Sequence, residues 1–504
     1  MRSIAILIAA CVAWTTLSTE WAWGQGEKTV KEKETKTESK QPQPEPEWPQ
    51  DLAVLDRLVD LDVGEGKSVE LANGHKVTVK LVALKEHRDS VRDAVRRAEV
   101  TVEVDGKRTT LVSSNYNLPV TLGQVQIDCP ITQGPMSNGA NVYGLKKDAR
   151  LRLWPKDSPW IAPGTFCYPL KQKWFAGPTQ MSNEPVYVDG VERPERKRIY
   201  YHYDLDFGGA EDLVDVLAVS DAMVQMVNRQ RGSLILRDRR GWRWGYGHLA
   251  SIEPTVKPNT VVRMGQKIGT LGKAGGSGGW THLHFGLTRK IPDGRMRHVD
   301  SYVFAWQACL TEQKPKVIAV ARPHHLVWTG EEVVLDASRS WAADGKELKY
   351  HWTFSDGSHA EGPTQKRKYA QAGQYSEILK VTDASGHVAY DFAIVQVIGR
   401  GQKPLVPPGI HAAYYPTMHI TPKQTITFKG RTFRTTHGQE EWDFGDGTPL
   451  VQTKSDGNVR PHAKDGYAVT THSFERAGDY IVTVHRTDEH GMTGTTRLWV
   501  HVDK

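Results

Sequence analysis

The sequence predicts a mainly β, multidomain protein, on three observations. Glycine, proline and tryptophan are plentiful, at 46, 27 and 16 of 504 residues, which favours turns and strands over long helices. Asn-Gly and Asp-Gly dipeptides separate short runs rich in β-branched residues toward the N-terminus. A Trp-x-Phe-x-Asp-Gly hexapeptide occurs twice, at Trp352–Gly357 and Trp442–Gly447. The length exceeds one ordinary core and suggests about three or four domains.

Residues 1–24 have the form of a secretory signal peptide. Met1-Arg2 is a short positive start, Ile4 to Ala13 is almost wholly apolar, and Ala22-Trp23-Gly24 offers small residues at the cleavage positions. Ile8-Ala9-Ala10-Cys11 resembles a lipobox, but the apolar run before Cys11 is very short and apolar residues continue after it. The secretory reading is therefore preferred, and the chain is expected in the periplasm, the cell envelope or the medium. No other stretch approaches the about 18 apolar residues of a membrane helix. Residues 25–50 alternate Lys with Glu, then turn Gln/Pro-rich, and are expected to form a disordered linker.

The net charge is +7, concentrated in part at Arg196-Lys197-Arg198 and Arg237 to Arg243. Such a surface attracts anionic polymers of the cell wall, acidic lipid or nucleic acid. Export puts nucleic acid last, and no nucleic-acid partner is expected.

Residues 51–193 predict a β-rich accessory domain that packs on or gates the domain after it. Asn73-Gly74 separates Ser68–Leu71 from Lys76–Val82, and Asp105-Gly106 separates Val100–Val104 from Arg108–Val112, as in two hairpins. The charge pattern of His87 to Arg97 suggests a short helix. Cys129 and Cys167 fall in this domain and could bridge in an oxidising compartment, leaving Cys309 odd; three unpaired, partly buried thiols are the alternative.

The C-terminal part divides into two related halves, 313–400 and 401–504. Besides the hexapeptide, Tyr369 before Ala372-Gly373-Gln374-Tyr375 matches Phe474 before Ala477-Gly478-Asp479-Tyr480. Thr382-Asp383 and Gly386 match Thr487-Asp488 and Gly491. A period of roughly 90 residues with turn residues between strands suggests two tandem β-sandwiches. These residues resemble the PKD domain, an immunoglobulin-like module of extracellular proteins. That resemblance implies spacing or adhesion, with an unidentified protein or glycan partner. Packing is the expected role of the repeated aromatic residues, and hairpin turns that of the Asp-Gly pairs.

Residues 194–312 carry the chemistry, in three motifs. They are His202-Tyr-Asp-Leu-Asp206, Tyr246-Gly-His248-Leu249 and His282-Leu-His284-Phe285, the last following the glycine-rich run Gly275 to Gly279. Thr281 to Leu287 reads as a strand, so His282 and His284 project to one face about 6.6 Å apart, one suited to a metal and the other to substrate. His202 and Asp206 would lie about 13 Å apart if extended, so sharing an ion requires a bend between them. With His284 they make two imidazoles and one carboxylate, a set that suits catalytic zinc but is also used by iron(II) oxygenases. His248 and His282 in the same cleft could handle protons and stabilise an oxyanion. The glycine-rich run is not a phosphate loop, because Lys273 is followed by Ala274. His324-His325 and His351 lack comparable company and read as surface or sandwich residues.

In this order, with Gly265-Gln-Lys-Ile-Gly269 between the second and third, the motifs resemble the M23 metallopeptidases, the lysostaphin/LytM-type endopeptidases, over about Tyr200 to Lys290. The resemblance implies a compact antiparallel β fold with an open groove, Zn2+ on His202, Asp206 and His284, and catalytic histidines His248 and His282. It implies hydrolysis of peptide bonds in peptidoglycan cross-links or stem peptides. Three positions where that family usually has glycine hold Asp204, Asp212 and Ala222, and Gly286 stands where an acidic residue is common. A non-catalytic wall-binding regulator and a surface adhesin acting through the PKD-like pair are the alternative readings.

Overall fold

The structure, a computed structural model, describes residues 48–137, 140–185, 199–401 and 406–504. The expected signal peptide with Cys11, residues 25–47 of the expected linker, and Arg196-Lys197-Arg198 lie outside the described residues.

The N-terminal part is built of two four-stranded antiparallel sheets. One orders Gly66–Glu70, Lys76–Arg88, Val95–Val104 and Lys107–Val112; the other orders Arg57–Leu61, Ala149–Pro155, Val125–Thr132 and Val120–Leu122. Val77, Val79 and Leu81 alternate inward against Val100, Val102, Ile127 and Leu151, as a strand with one wet face requires. Both expected hairpins form. Asp105 and Gly106 take φ of 47° and 81°, the paired positive angles of a two-residue turn that matches the strand twist.

The helix expected at His87–Arg97 is absent. The strand runs through Arg88 and the next begins at Val95, with His87 opposite Arg97 and Lys85 opposite Glu99. Asp89 decides the turn: its Oδ1 accepts from the Val91 and Arg92 amides, and its Oδ2 from Arg96 Nε. The charge pattern is therefore paired across strands instead of along a helix face. Among the described residues no disulfide forms either, since Cys129, Cys167 and Cys309 are free thiols. Cys129 lies in the N-terminal core, and Cys309 is buried on the helix Tyr302–Glu312.

The central part is an eight-stranded antiparallel sheet. Its order is Val261–Val262, Ala222–Asn228, Ser233–Asp238, Arg243–Gly247, His282–Lys290, Leu205–Gly208 and Thr179–Gln180, with Met296–Val299 also on His282–Lys290. Trp244 stacks on Phe285 at 5.4 Å, and Leu236, Leu283, Phe304 and Trp306 complete a dense aromatic core. Phe166, Tyr168, Leu170, Trp174 and Met181 belong to this same core. Apolar side chains of this segment thus find their partners in the central sheet.

Each C-terminal half buries its repeated tryptophan completely, Trp352 in one core and Trp442 in the other. The two sandwiches share backbone. A nine-stranded sheet runs through both, joined where Gln374 pairs with Gly494 in parallel strands.

Candidate metal and catalytic site

Two neighbouring strands define the site. In the antiparallel pairing of Leu205–Gly208 with His282–Lys290, Asp206 lies opposite His284 and Gly208 opposite His282. The period of two then brings Asp206, His282 and His284 to one face of the sheet. His202 reaches them from the preceding loop, which is anchored where the His202 amide donates to the Glu184 carbonyl and the Asn183 amide to that of His202, each at 2.8 Å. The bend that spacing requires falls at Asp204, whose φ is +66°.

The three candidate ligands converge. His202 Nε2 lies 3.0 Å from Asp206 Oδ2 and His284 Nδ1 lies 2.9 Å from Asp206 Oδ1. One donor atom from each of the three residues falls within 4.8 Å of the others. Ligand atoms about 2.0 Å from a tetrahedral zinc are about 3.3 Å apart, so two imidazoles and a carboxylate at these separations fit that ion. The set has the three-ligand form that leaves a fourth position for water.

His248 and His282 stand beside them. Their rings are 4.5 Å apart, and His248 is 5.8 Å from His284. His248 follows the strand Arg243–Gly247 with φ of +66°, a strained backbone for a residue with a side chain. Its Nδ1–H donates to the Ala274 carbonyl at 2.6 Å, which leaves the lone pair on Nε2. His282 Nδ1 similarly meets the Trp280 carbonyl at 3.1 Å, and the Trp280 ring stacks on the His282 ring at 3.8 Å.

Asp204 adds a carboxylate behind the cluster. Its Oδ1 accepts from His298 Nδ1 at 3.0 Å, and its Oδ2 is 3.4 Å from His284 Nε2, the nitrogen on the far side of the ring from Asp206. Metal-binding imidazoles are commonly oriented by such an outer carboxylate. The position explains two departures together: a Cβ at residue 286 would fall on the Asp204 carboxylate, so glycine is required there. Asp204 and Asp212, both at positions where glycine is usual, keep left-handed backbones of 66° and 59°, which aspartate tolerates better than most residues.

Electrostatics separate the residues. Burial opposes charge on Asp206, but His202, His282 and His284 together outweigh it and hold the carboxyl well below the ordinary range. Burial likewise opposes charge on Asp204, yet His298 and His284 lower it to about 2. Burial disfavours a charged His284, but hydrogen bonds with Asp204 and Asp206 raise it to about 10. Burial, aided by the neighbouring His284, pushes His248 down to about 4, and burial pushes His282 well below the ordinary imidazole range.

All five residues singled out from the sequence thus meet in one place. Asp204, Trp280 and His298 were missed as members of the cluster. The spacing Trp280-x-His282 on a strand edge was a signal for the first ring contact; His298 carried none, since it joins through a strand pairing.

Residues 200–299 match peptidase family M23, and residues 313–397 and 413–499 each match the PKD domain. Among solved structures, the chain is similar to a putative glycyl-glycine endopeptidase, lytM, of Ruminococcus gnavus. The identity is 19%, covering 29% of this chain and 60% of that one, at a TM-score of 0.21. It is similar at 20% identity to the catalytic domain of EnpA, a prophage-encoded M23 protein of Enterococcus faecalis, covering 25% of this chain and 92% of that one, TM-score 0.19. A zinc-containing peptidase from Vibrio cholerae is 15% identical, covering 43% of this chain and 84% of that one, TM-score 0.21.

Proposed function

Because residues 200–299 form a peptidase family M23 segment followed by two PKD domains, we propose that the protein is an exported zinc metalloendopeptidase. Its substrates are peptide bonds in peptidoglycan cross-links or stem peptides. The observation that carries this reading is the convergence of His202, Asp206 and His284 with two further histidines at 4.5 Å from one another. The apolar segment Ile4 to Ala13 supports export, and no helix among the described residues is long and apolar enough to cross a membrane.

His202 Nε2, Asp206 and His284 Nδ1 would hold the ion. Zinc bound there supplies a Lewis acid and makes a water acidic enough to react near neutral pH. His248 is held neutral with Nε2 free of its proton, so it receives the proton lost as water attacks the carbonyl. It returns that proton to the amine nitrogen as the carbon–nitrogen bond breaks. His282 is fixed in the same cleft by the Trp280 ring and carbonyl, as the second catalytic histidine.

The test is zinc analysis of the purified protein together with mass spectrometry of digested peptidoglycan. The expected result is about one zinc per chain and new peptide termini; a zinc-loaded protein that cuts no wall peptide would contradict the reading.

A further inference from the structure

The run Gly275-Gly276-Ser277-Gly278-Gly279 leads directly into Trp280 and His282. Gly275, Gly278 and Gly279 take φ of 66°, 65° and 91°. Such a segment loses more conformational entropy on ordering than any other, and it has almost no side chains with which to hold itself. Ser277 Oγ donates to the Lys273 carbonyl and accepts from the Gly279 amide, but this leaves the carbonyls of Gly278 and Gly279 and the amide of Thr281.

The second sandwich satisfies all three. Asn458 Nδ2 donates to the Gly278 carbonyl at 3.0 Å, Arg431 Nη1 to the Gly279 carbonyl at 2.6 Å, and the Thr281 amide to Tyr467 Oη at 2.8 Å. Arg431 is fully buried and is itself fixed by a two-pronged bond to Asp456, so its donor is rigid. Tyr467 Oη also meets His411 Nδ1 at 2.9 Å, and the His411 ring packs 5.4 Å from Trp280, the ring stacked on His282. The fit is close from both sides, because a Cβ on Gly279 would fall on Asn458 Oδ1.

We propose that the second sandwich is a working part of the catalytic site, with Tyr467, His411 and Asn458 as positioning residues for the Gly275–His282 loop. This rests on the hydrolase reading and deepens it: the wall of the groove beside His282 is supplied from 152 to 186 residues downstream, so the sandwich acts as a brace and not as a detached spacer.

The experiment compares the full-length protein with Tyr467→Phe and, separately, Asn458→Ala. Hydrogen exchange at Thr281 and Gly279, zinc content, melting temperature and peptidoglycan hydrolysis are followed. The expected result is amide exchange at Thr281 about tenfold faster and kcat about tenfold lower, with KM, zinc content and melting temperature nearly unchanged. Faster exchange with intact kcat would overturn the catalytic role, and unchanged exchange in both variants would overturn the bracing itself. Should the wild type cut no wall peptide, the hydrolase reading fails on its own, and exchange at Thr281 still decides whether the sandwich holds the loop.

Discussion

The carboxylate of Asp204 occupies the space that any side chain on residue 286 would need, although Asp204 lies in the bend before one strand and Gly286 within its neighbour. Two residues before Gly286 on the same strand stands His284, whose Nε2 is the group that Asp204 faces. One residue's absence of a side chain therefore sets the orientation of a candidate ligand.

Gly286→Ala should displace Asp204 and loosen His284. Zinc retention against a competing chelator is expected to fall about 10- to 100-fold, the range for lost outer-shell partners, and Asp204→Asn should fall in the same direction. Unchanged zinc affinity in both variants would show that Asp204 does not orient the ligand.

Removal of the ion, or of any one of His202, Asp206 and His284, should abolish hydrolysis. Re-adding zinc to the metal-free wild type at about one hundred times its Kd should stabilise the fold by about 2.7 kcal/mol, seen as a rise in melting temperature. The three ligand variants should show no such rise.

His248→Ala is expected to keep its zinc and lose about 10²- to 10⁴-fold in kcat, because the change removes a proton carrier and no ligand. Loss of zinc in this variant would move His248 from proton transfer to metal binding.

Acid should destabilise the protein. Burial holds His411 at about 3, aided by Arg431, and likewise holds His324 at about 3 and His325 at about 4. The unfolded chain binds protons on these residues near pH 6.5 while the folded chain does not. Stability is therefore complete above that pH and declines as pH falls from about 6.5 toward 4. Thermal melts across this window check the limb, and His324→Gln with His325→Gln should flatten it. Hydrolysis should fall in the same direction, since imidazole ligands must be neutral to hold metal.

Much of this was legible in the sequence because it is local. Asp105-Gly106 specifies its own turn, the repeated tryptophans mark their own cores, and His282 and His284 share a face by strand period alone. The errors and omissions are through-space effects. His87–Arg97 has the charges of a helix, but Asp89 captures the amides that would begin one and the charges find cross-strand partners. The aromatic residues from Phe166 to Met181 gave no sign of which core they would join. Asp204 with Gly286, and Tyr467 with Thr281, are pairs whose meaning appears only when distant strands are brought together.

The continuous sheet through the two sandwiches has a bearing on how such a protein can change over generations. Modules that hang as separate beads can be duplicated or deleted without harm to their neighbours. Here Gln374 and Gly494 tie the copies edge to edge, with Gln374 Nε2 donating to the Thr495 carbonyl at 3.2 Å. Dropping the first copy would take the pairing at Gly494 and the bond to the Thr495 carbonyl away from the second copy's last strand, so the loss of one module is felt by the other.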